Sequence, residues 1–283
     1  MKKLGLIMVA SFLAANVMFT SCKKDDTTTS SSITDADVAE VQDNSIASSA
    51  YDDVDTEVSA AIGTGLKSDL IGDSTVKPVV TIVSKEKGKI VKKITYNGIN
   101  RRGKVRTGSI LVTITYPTVG DSTDETKWVK TITFENYTVG ERKIEGTKTI
   151  TYQGKVDGIH PQWDVKLVAG KVTLKNGKSI TADYSRTRVM TAGFLTPLNF
   201  EDDVFTINGT GSGLNRKGVA YTSTLTDIVK AAGCPYFKSG TETFVSDKKT
   251  KTITYNGGDS CDPNATIEVN GKTKIVNIDT EAN

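Results

Sequence analysis

Read for where its apolar residues fall, the chain changes period three times. From Leu4 to Phe19 it is continuously free of charge and largely apolar, behind Lys2 and Lys3. From Asp25 to Ser32 it reads Asp-Asp-Thr-Thr-Thr-Ser-Ser-Ser, with nothing that can bury apolar surface, which predicts a flexible tether. From Asp35 to Ile62 a helical period takes over. Tyr51, Val54, Val58 and Ile62 recur at intervals of three and four, while Asp52, Asp53, Asp55 and Glu57 fill the other faces. Ser45 or Ser48 is placed to cap the second half of this helix and Gly63 to stop it. The spacing predicts an amphipathic helix against the following domain, with Asp53, Asp55 and Glu57 on its solvated face. A calcium loop would need a glycine that is missing here.

After Lys77 the period becomes two. Ile110, Val112, Ile114 and Tyr116 alternate with Leu111, Thr113 and Thr115. One phrase, Ile-Thr-aromatic, recurs at Ile94-Thr95-Tyr96, Ile114-Thr115-Tyr116, Ile132-Thr133-Phe134, Ile150-Thr151-Tyr152 and Ile253-Thr254-Tyr255. Each turns its isoleucine and ring to one side and its threonine to the other, as a strand with one buried face requires. Asn176-Gly177 and Asn270-Gly271 predict two-residue type I′ hairpins, and Val139-Gly140 turns another pair. Asn100-Arg101-Arg102-Gly103 is echoed by Asn215-Arg216-Lys217-Gly218. The fold class is all-β: an antiparallel meander of about a dozen strands, forming a β-roll or a sandwich. The domain plan is residues 1–21 as signal peptide, 22–33 as tether, 34–66 as helical segment and 70–283 as β domain.

The apolar run is shorter than the roughly 20 residues of a spanning helix and has the layout of a signal peptide. It ends at Phe19-Thr20-Ser21-Cys22, which resembles a bacterial lipobox in the looser form of the Bacteroidota. The resemblance implies lipidation of Cys22 and a membrane held by acyl chains, each buried CH₂ contributing roughly 0.8 kcal/mol. Lys24-Asp25-Asp26 resembles the signal that sends some of these lipoproteins to the cell surface. The expected location is the outer membrane, on its surface or periplasmic face, with the surface favoured.

Removing residues 1–21 takes away two lysines and no acid, leaving 34 basic and 33 acidic side chains. So balanced a charge argues against nucleic acid as a partner. With Cys22 lipidated, Cys234 and Cys261 remain as an even pair in an exported chain, which points to a disulfide. Such a bridge would stabilise the fold by roughly 3.5 kcal/mol on the chain-entropy argument.

Candidate chemistry is sparse. His160, the only histidine, sits between turn residues in Asp157-Gly158-Ile159-His160-Pro161, and there is no Gly-x-Ser-x-Gly elbow. One histidine and two distant cysteines cannot make a His/Cys metal site. No catalytic residue, metal or cofactor is assigned. Glu201-Asp202-Asp203 and Asp121 with Asp124-Glu125 are the carboxylates available for glycoside cleavage, and Asp259, Asp262 and Asn264 are oxygen donors beside Cys261. Trp128 and Trp163 are the rings available to stack on a sugar, although Trp128 shares the inward parity of Ile132. The threonine rows 147/149/151 and 250/252/254 suit a solvated sheet face. Asp26-Thr27-Thr28, Asp73-Ser74-Thr75 and Asp121-Ser122-Thr123 resemble the Bacteroidota O-glycosylation motif, with Thr27, Ser74 and Ser122 as acceptors.

Phe134 to Tyr152, Asp183 to Gly193 and Tyr255 to Gly271 resemble uncharacterised Bacteroidota outer-membrane and surface lipoproteins with a threonine-rich β body. That resemblance implies no reaction. The expectation is a lipid-anchored, non-enzymatic envelope protein serving in binding, adhesion or envelope structure, its partner a glycan or another envelope protein. A carbohydrate-binding accessory of a glycan uptake system is the first alternative, and a glycan-cleaving enzyme using acidic loop residues the second.

Overall fold

The computed structural model describes residues 32–62, 77–101, 103–118 and 128–278, apart from 197, 198, 200, 201, 233, 257 and 259. They belong to one compact unit, Ser32–Asn283. It begins with a single long helix, α1 (Asp35–Ile62). Thr34 sets its start: the Asp37 N–H donates to Thr34 Oγ1 at 3.2 Å, and the Thr34 N–H donates back to Asp37 Oδ2 at 2.9 Å. Two end groups without helical partners are thereby satisfied reciprocally. The cap expected at Ser45 or Ser48 is therefore not needed; both lie within the continuous helix. Among the described residues, no helix is long and apolar enough to cross a membrane.

Thirteen strands follow: β1 (Val79–Glu86), β2 (Lys89–Arg101), β3 (Lys104–Thr115), β4 (Val129–Val139), β5 (Arg142–Val156), β6 (His160–Thr173), β7 (Ser179–Ala192), β8 (Val204–Leu214), β9 (Ala220–Ala231), β10 (Ser239–Ser246), β11 (Lys249–Tyr255), β12 (Asn264–Val269) and β13 (Lys272–Asn277). They form one antiparallel sheet in chain order, each strand paired with its sequence neighbours. The two-residue period is obeyed where the repeated phrase falls: Ile94, Ile132, Ile150 and Ile253 are buried, and the threonines turn outward.

Turn chemistry sets the register. Asn270 and Gly271, both at positive φ, make the expected two-residue turn between β12 and β13. Asp247 and Lys248 make the same turn with no glycine at all. At Asn176-Gly177 the loop is one residue longer than expected. The Gly177 N–H bonds the Leu174 carbonyl, the Leu174 N–H bonds the Lys178 carbonyl, and only Gly177 has positive φ. Asn215–Val219 repeats that three-residue geometry, its Asn215 Oδ1 accepting the Lys217 and Val219 N–H groups. Gly108 serves a different purpose. At φ +77 it lies against β4, where a Cβ would come within 2.1 Å of the Asn136 carbonyl oxygen.

There is one sheet, not two, so the sandwich alternative is set aside. The sheet coils about α1, and among the described residues no pairing joins β13 to β1. Tyr96 of β2 and Arg106 of β3 meet the C-terminal half of the helix, and Lys251 of β11 and Lys274 near the β13 end meet its N-terminal half. The helix thus lies across the strands. Half of its 28 residues are buried, Tyr51, Val54 and Val58 completely.

That enclosure overturns the solvated acidic face. The helix carries eight acidic residues and no lysine or arginine, and inward-facing strand positions supply the cations. Asp53 takes two hydrogen bonds from Arg106 at 2.6 and 3.0 Å, Asp55 one from Lys148 at 2.7 Å, and Glu40 one from Lys251 at 2.8 Å. Glu57 is 1% exposed, with Arg106 at 3.8 Å. Where the roll encloses the helix, its charges persist only by being paired.

Candidate functional site

Register and parity place three cross-strand rows on the concave face. The first runs from Trp128, whose carbonyl accepts the Tyr152 N–H at 2.9 Å, through Tyr152 and Trp163 to Arg188. The second runs Ile114, Lys130, Ile150, Val165 and Arg186. The third joins Ile132, Lys148, Leu167 and Tyr184. Adjacent strands stand about 4.8 Å apart, so the first row spans roughly 14 Å. Its rings support one another: Tyr116 stacks on Trp128 at 5.3 Å, and Trp163 packs on Tyr152 at 5.7 Å and edge-on to Phe205 at 6.2 Å.

Members of all three rows line a cavity of about 1,770 Å³. The opposite wall is the helix. Ser45, Ser49, Asp52, Thr56 and Ser59 recur at intervals of three and four, fall on one stripe of α1, and line the same space. One wall is aromatic and aliphatic with cations set into it; the other is hydroxyls and carboxylates.

The electrostatics centre on Asp55. Its Oδ2 accepts from Lys148 Nζ at 2.7 Å and from Arg188 Nη1 at 3.3 Å, while its Oδ1 has no partner. Burial by itself would push this carboxyl up, but Lys148, Arg188 and Lys130 outweigh it and hold the group below its ordinary value. Burial likewise opposes the charge on Lys148, and Asp55 reverses that, so the amine sits above its ordinary value. Lys130 has no hydrogen bond or ion pair. It is half-buried yet ringed by protein. Burial pushes its amine down, Asp55 partly restores it, Arg188 and Lys148 push it further, and it comes to about 8. Arg188 is held in place by Asp55 and by rings, its guanidinium 5.5 Å from the centre of Trp163 and 4.7 Å from that of Phe205. Arg186 bonds Ser48 and lies 4.0 Å over Tyr184. The Nε atoms of Arg186 and Arg188 are buried without acceptors.

The two tryptophans singled out from sequence therefore meet in one cavity. Trp128, 47% exposed, is a rim residue just before β4, and Trp163 lies deeper. Two of the three acidic loop residues are described. Asp203 lines the cavity, Asp202 accepts from Thr196 Oγ1 at 2.7 Å, and Glu201 lies outside the described residues. His160 is tied to Asp157 through Nδ1 at 2.8 Å and stands edge-on to Phe194 at 5.0 Å. Asp262 Oδ1 accepts both the backbone N–H and the side-chain amide of Asn264, an ordinary turn. Among the described residues no group of three His, Cys, Asp or Glu is disposed to hold a metal. A disulfide joins Cys234, at the cavity wall, to Cys261, with Cα atoms 5.5 Å apart. Cys22, Thr27, Ser74, Ser122, Asp121, Asp124, Glu125 and Asp259 lie outside the described residues.

Sequence reasoning missed Lys130, Lys148, Arg186 and Arg188. Their signal was parity: Lys130 is in phase with Ile132, Lys148 with Ile150, and Arg186 and Arg188 with Tyr184, all inward positions. Compared with protein-family models, with curated proteins and with solved structures, the chain gives no match.

Proposed function

We propose that this chain is a lipid-anchored protein of the cell envelope, held at Cys22, whose β body binds a saccharide in the cavity against α1 and performs no chemistry on it. The observation that carries the reading is that Trp128 and Trp163, from separate hairpins, stand in one cross-strand row of one cavity. A sugar ring has an apolar face of C–H groups and a polar rim. The aromatic row suits the former and the Ser45–Ser59 stripe suits the latter. A cavity this large accommodates several sugar units rather than one. Of the described acidic loop residues, Asp203 lines the cavity while Asp202 is engaged by Thr196, which favours binding over cleavage, because glycoside hydrolysis needs two carboxyls facing each other across the scissile bond.

The test is a glycan array with the whole purified chain, followed by titration of the hits with Trp163→Ala and Trp128→Ala. Loss of about tenfold in affinity for Trp163→Ala, with the melting temperature of the free protein within a few degrees of the parent, is expected. Absence of any glycan binding, or unchanged affinity in both variants, overturns the reading.

A further inference from the structure

The cavity wall holds more cations than acids. Around Asp55 stand three cations, Lys130, Lys148 and Arg188, and one carboxylate serves two of them. Asp52 and Asp53 line the space from the same helix, Asp53 engaged by Arg106, and Glu141 and Asp203 line it from the sheet side. Among the described residues Lys130 makes no hydrogen bond or ion pair, while Asp55 Oδ1 and the Nε atoms of Arg186 and Arg188 are buried without partners. Lys130 and Arg188 both line the cavity, and a lining cation with no acceptor of its own is the place for an acceptor that arrives with a ligand. The acceptor has to be anionic: a neutral hydroxyl would leave the surplus positive charge uncompensated in a partly desolvated space.

From this geometry we infer that the ligand is an acidic saccharide, its carboxylate received by Lys130 and Arg188 while its ring lies on the neighbouring Trp163. The inference rests on the saccharide reading above and narrows it to sugars of the uronic-acid kind. Arg188 is already oriented. Asp55, Trp163 and Phe205 fix its guanidinium, so little side-chain freedom is lost when the carboxylate docks. Trp163 and Arg188 are direct cross-strand partners, which sets ring and charge side by side. Lys130 approaches from β4, two strands away from β6 and on the row next to Trp163.

The measurement is calorimetric titration of the whole chain with a uronic-acid oligosaccharide and with the same oligosaccharide after its carboxyls have been reduced to alcohols. Palmitate serves as a carboxylate without a sugar. The variants are Lys130→Met and Lys130→Arg. Lys130 has no partner to lose, so both fold, and the melting temperature of each free protein checks this. The acid form is expected to bind about tenfold or more tighter than the reduced form. Lys130→Met should bring the two together, and Lys130→Arg should keep most of the difference. Equal affinity for acid and reduced forms, or a preference that survives Lys130→Met, overturns the charge inference and leaves the saccharide reading standing. Binding of palmitate with neither oligosaccharide overturns both.

Discussion

Replacing Asp55 by asparagine tests whether α1 is a solvated helix lying on a domain or the charged centre of a roll. On the first view the carboxylate faces water, and a surface change of this kind costs no more than about 0.5 kcal/mol. On the second, it is the counter-charge of Lys148, whose side chain is 1% exposed and whose amine is 2.7 Å away. At an effective dielectric of about 20 that contact alone is worth roughly 6 kcal/mol before desolvation is subtracted. Breaking one side of such a pair costs about 3–5 kcal/mol. In a chain of this size that corresponds to a fall in melting temperature of about 10 °C. The assay is urea unfolding of the oxidised chain at neutral pH, followed by circular dichroism, with Lys148→Met and the double variant completing a cycle. The double variant should lose less than the sum of the single losses, because removing both charges leaves none stranded. The acid limb adds a check on sign. Asp55 is held below its ordinary value, so its stabilisation is present above about pH 4 and is lost as pH falls through the folded-state value. The asparagine variant should accordingly have a shallower acid limb than the parent. A loss under about 1 kcal/mol, with both limbs unchanged, would refute the buried-pair account.

Glu242 presents the opposite sign. It is 1% exposed, and burial raises its carboxyl despite hydrogen bonds from Tyr255 at 2.7 Å and Asn44 at 2.7 Å and the field of Arg186. The folded state therefore holds a proton that the unfolded chain gives up, and stability falls as pH rises above about 4.3 toward the raised value. Glu242→Gln should flatten that stretch of the stability profile; an unaltered slope would contradict the assignment. Reducing the Cys234–Cys261 bridge, which closes a separation of 27 residues, should cost about 3.5 kcal/mol and lower the melting temperature by about 10 °C. Equal melting with and without reductant would count against it.

The strands were legible because the signal is local. Ile94, Ile132, Ile150 and Ile253 needed only the parity of their neighbours, and Asn270-Gly271 only the cost of positive φ. The helix was legible for the same reason, since Tyr51, Val54 and Val58 mark a stripe whichever partner covers it, but its cap is Thr34 rather than Ser45 or Ser48, and Gly63 lies outside the described residues. What could not be read locally was the partner itself. Asp55 looks the same in sequence whether water or Lys148 faces it, and the two residues are 93 apart. Choosing between roll and sandwich needed the same long-range knowledge. A charged residue at an inward strand position was nevertheless a usable clue. Lys148 between Ile144 and Ile150 demanded either an inward counter-charge or a break in the strand, and the one charge-rich element without any cation was the helix.

The same carboxylate then links stability to binding. With the cavity free of ligand, Lys148 and Arg188 share Asp55 Oδ2, Oδ1 is unbonded and Lys130 makes no ion pair, so three like charges repel one another around a single carboxylate. A ligand carboxylate arriving between Lys130 and Arg188 would relieve that repulsion and satisfy donors that folding left unmet. Part of its affinity therefore comes from strain already present in the free protein, and the complex should be stabilised beyond what its new contacts alone supply. Charge removal at Lys130 lowers affinity while leaving the free fold as stable or more so, whereas charge removal at Asp55 weakens the fold and loosens Arg188 together.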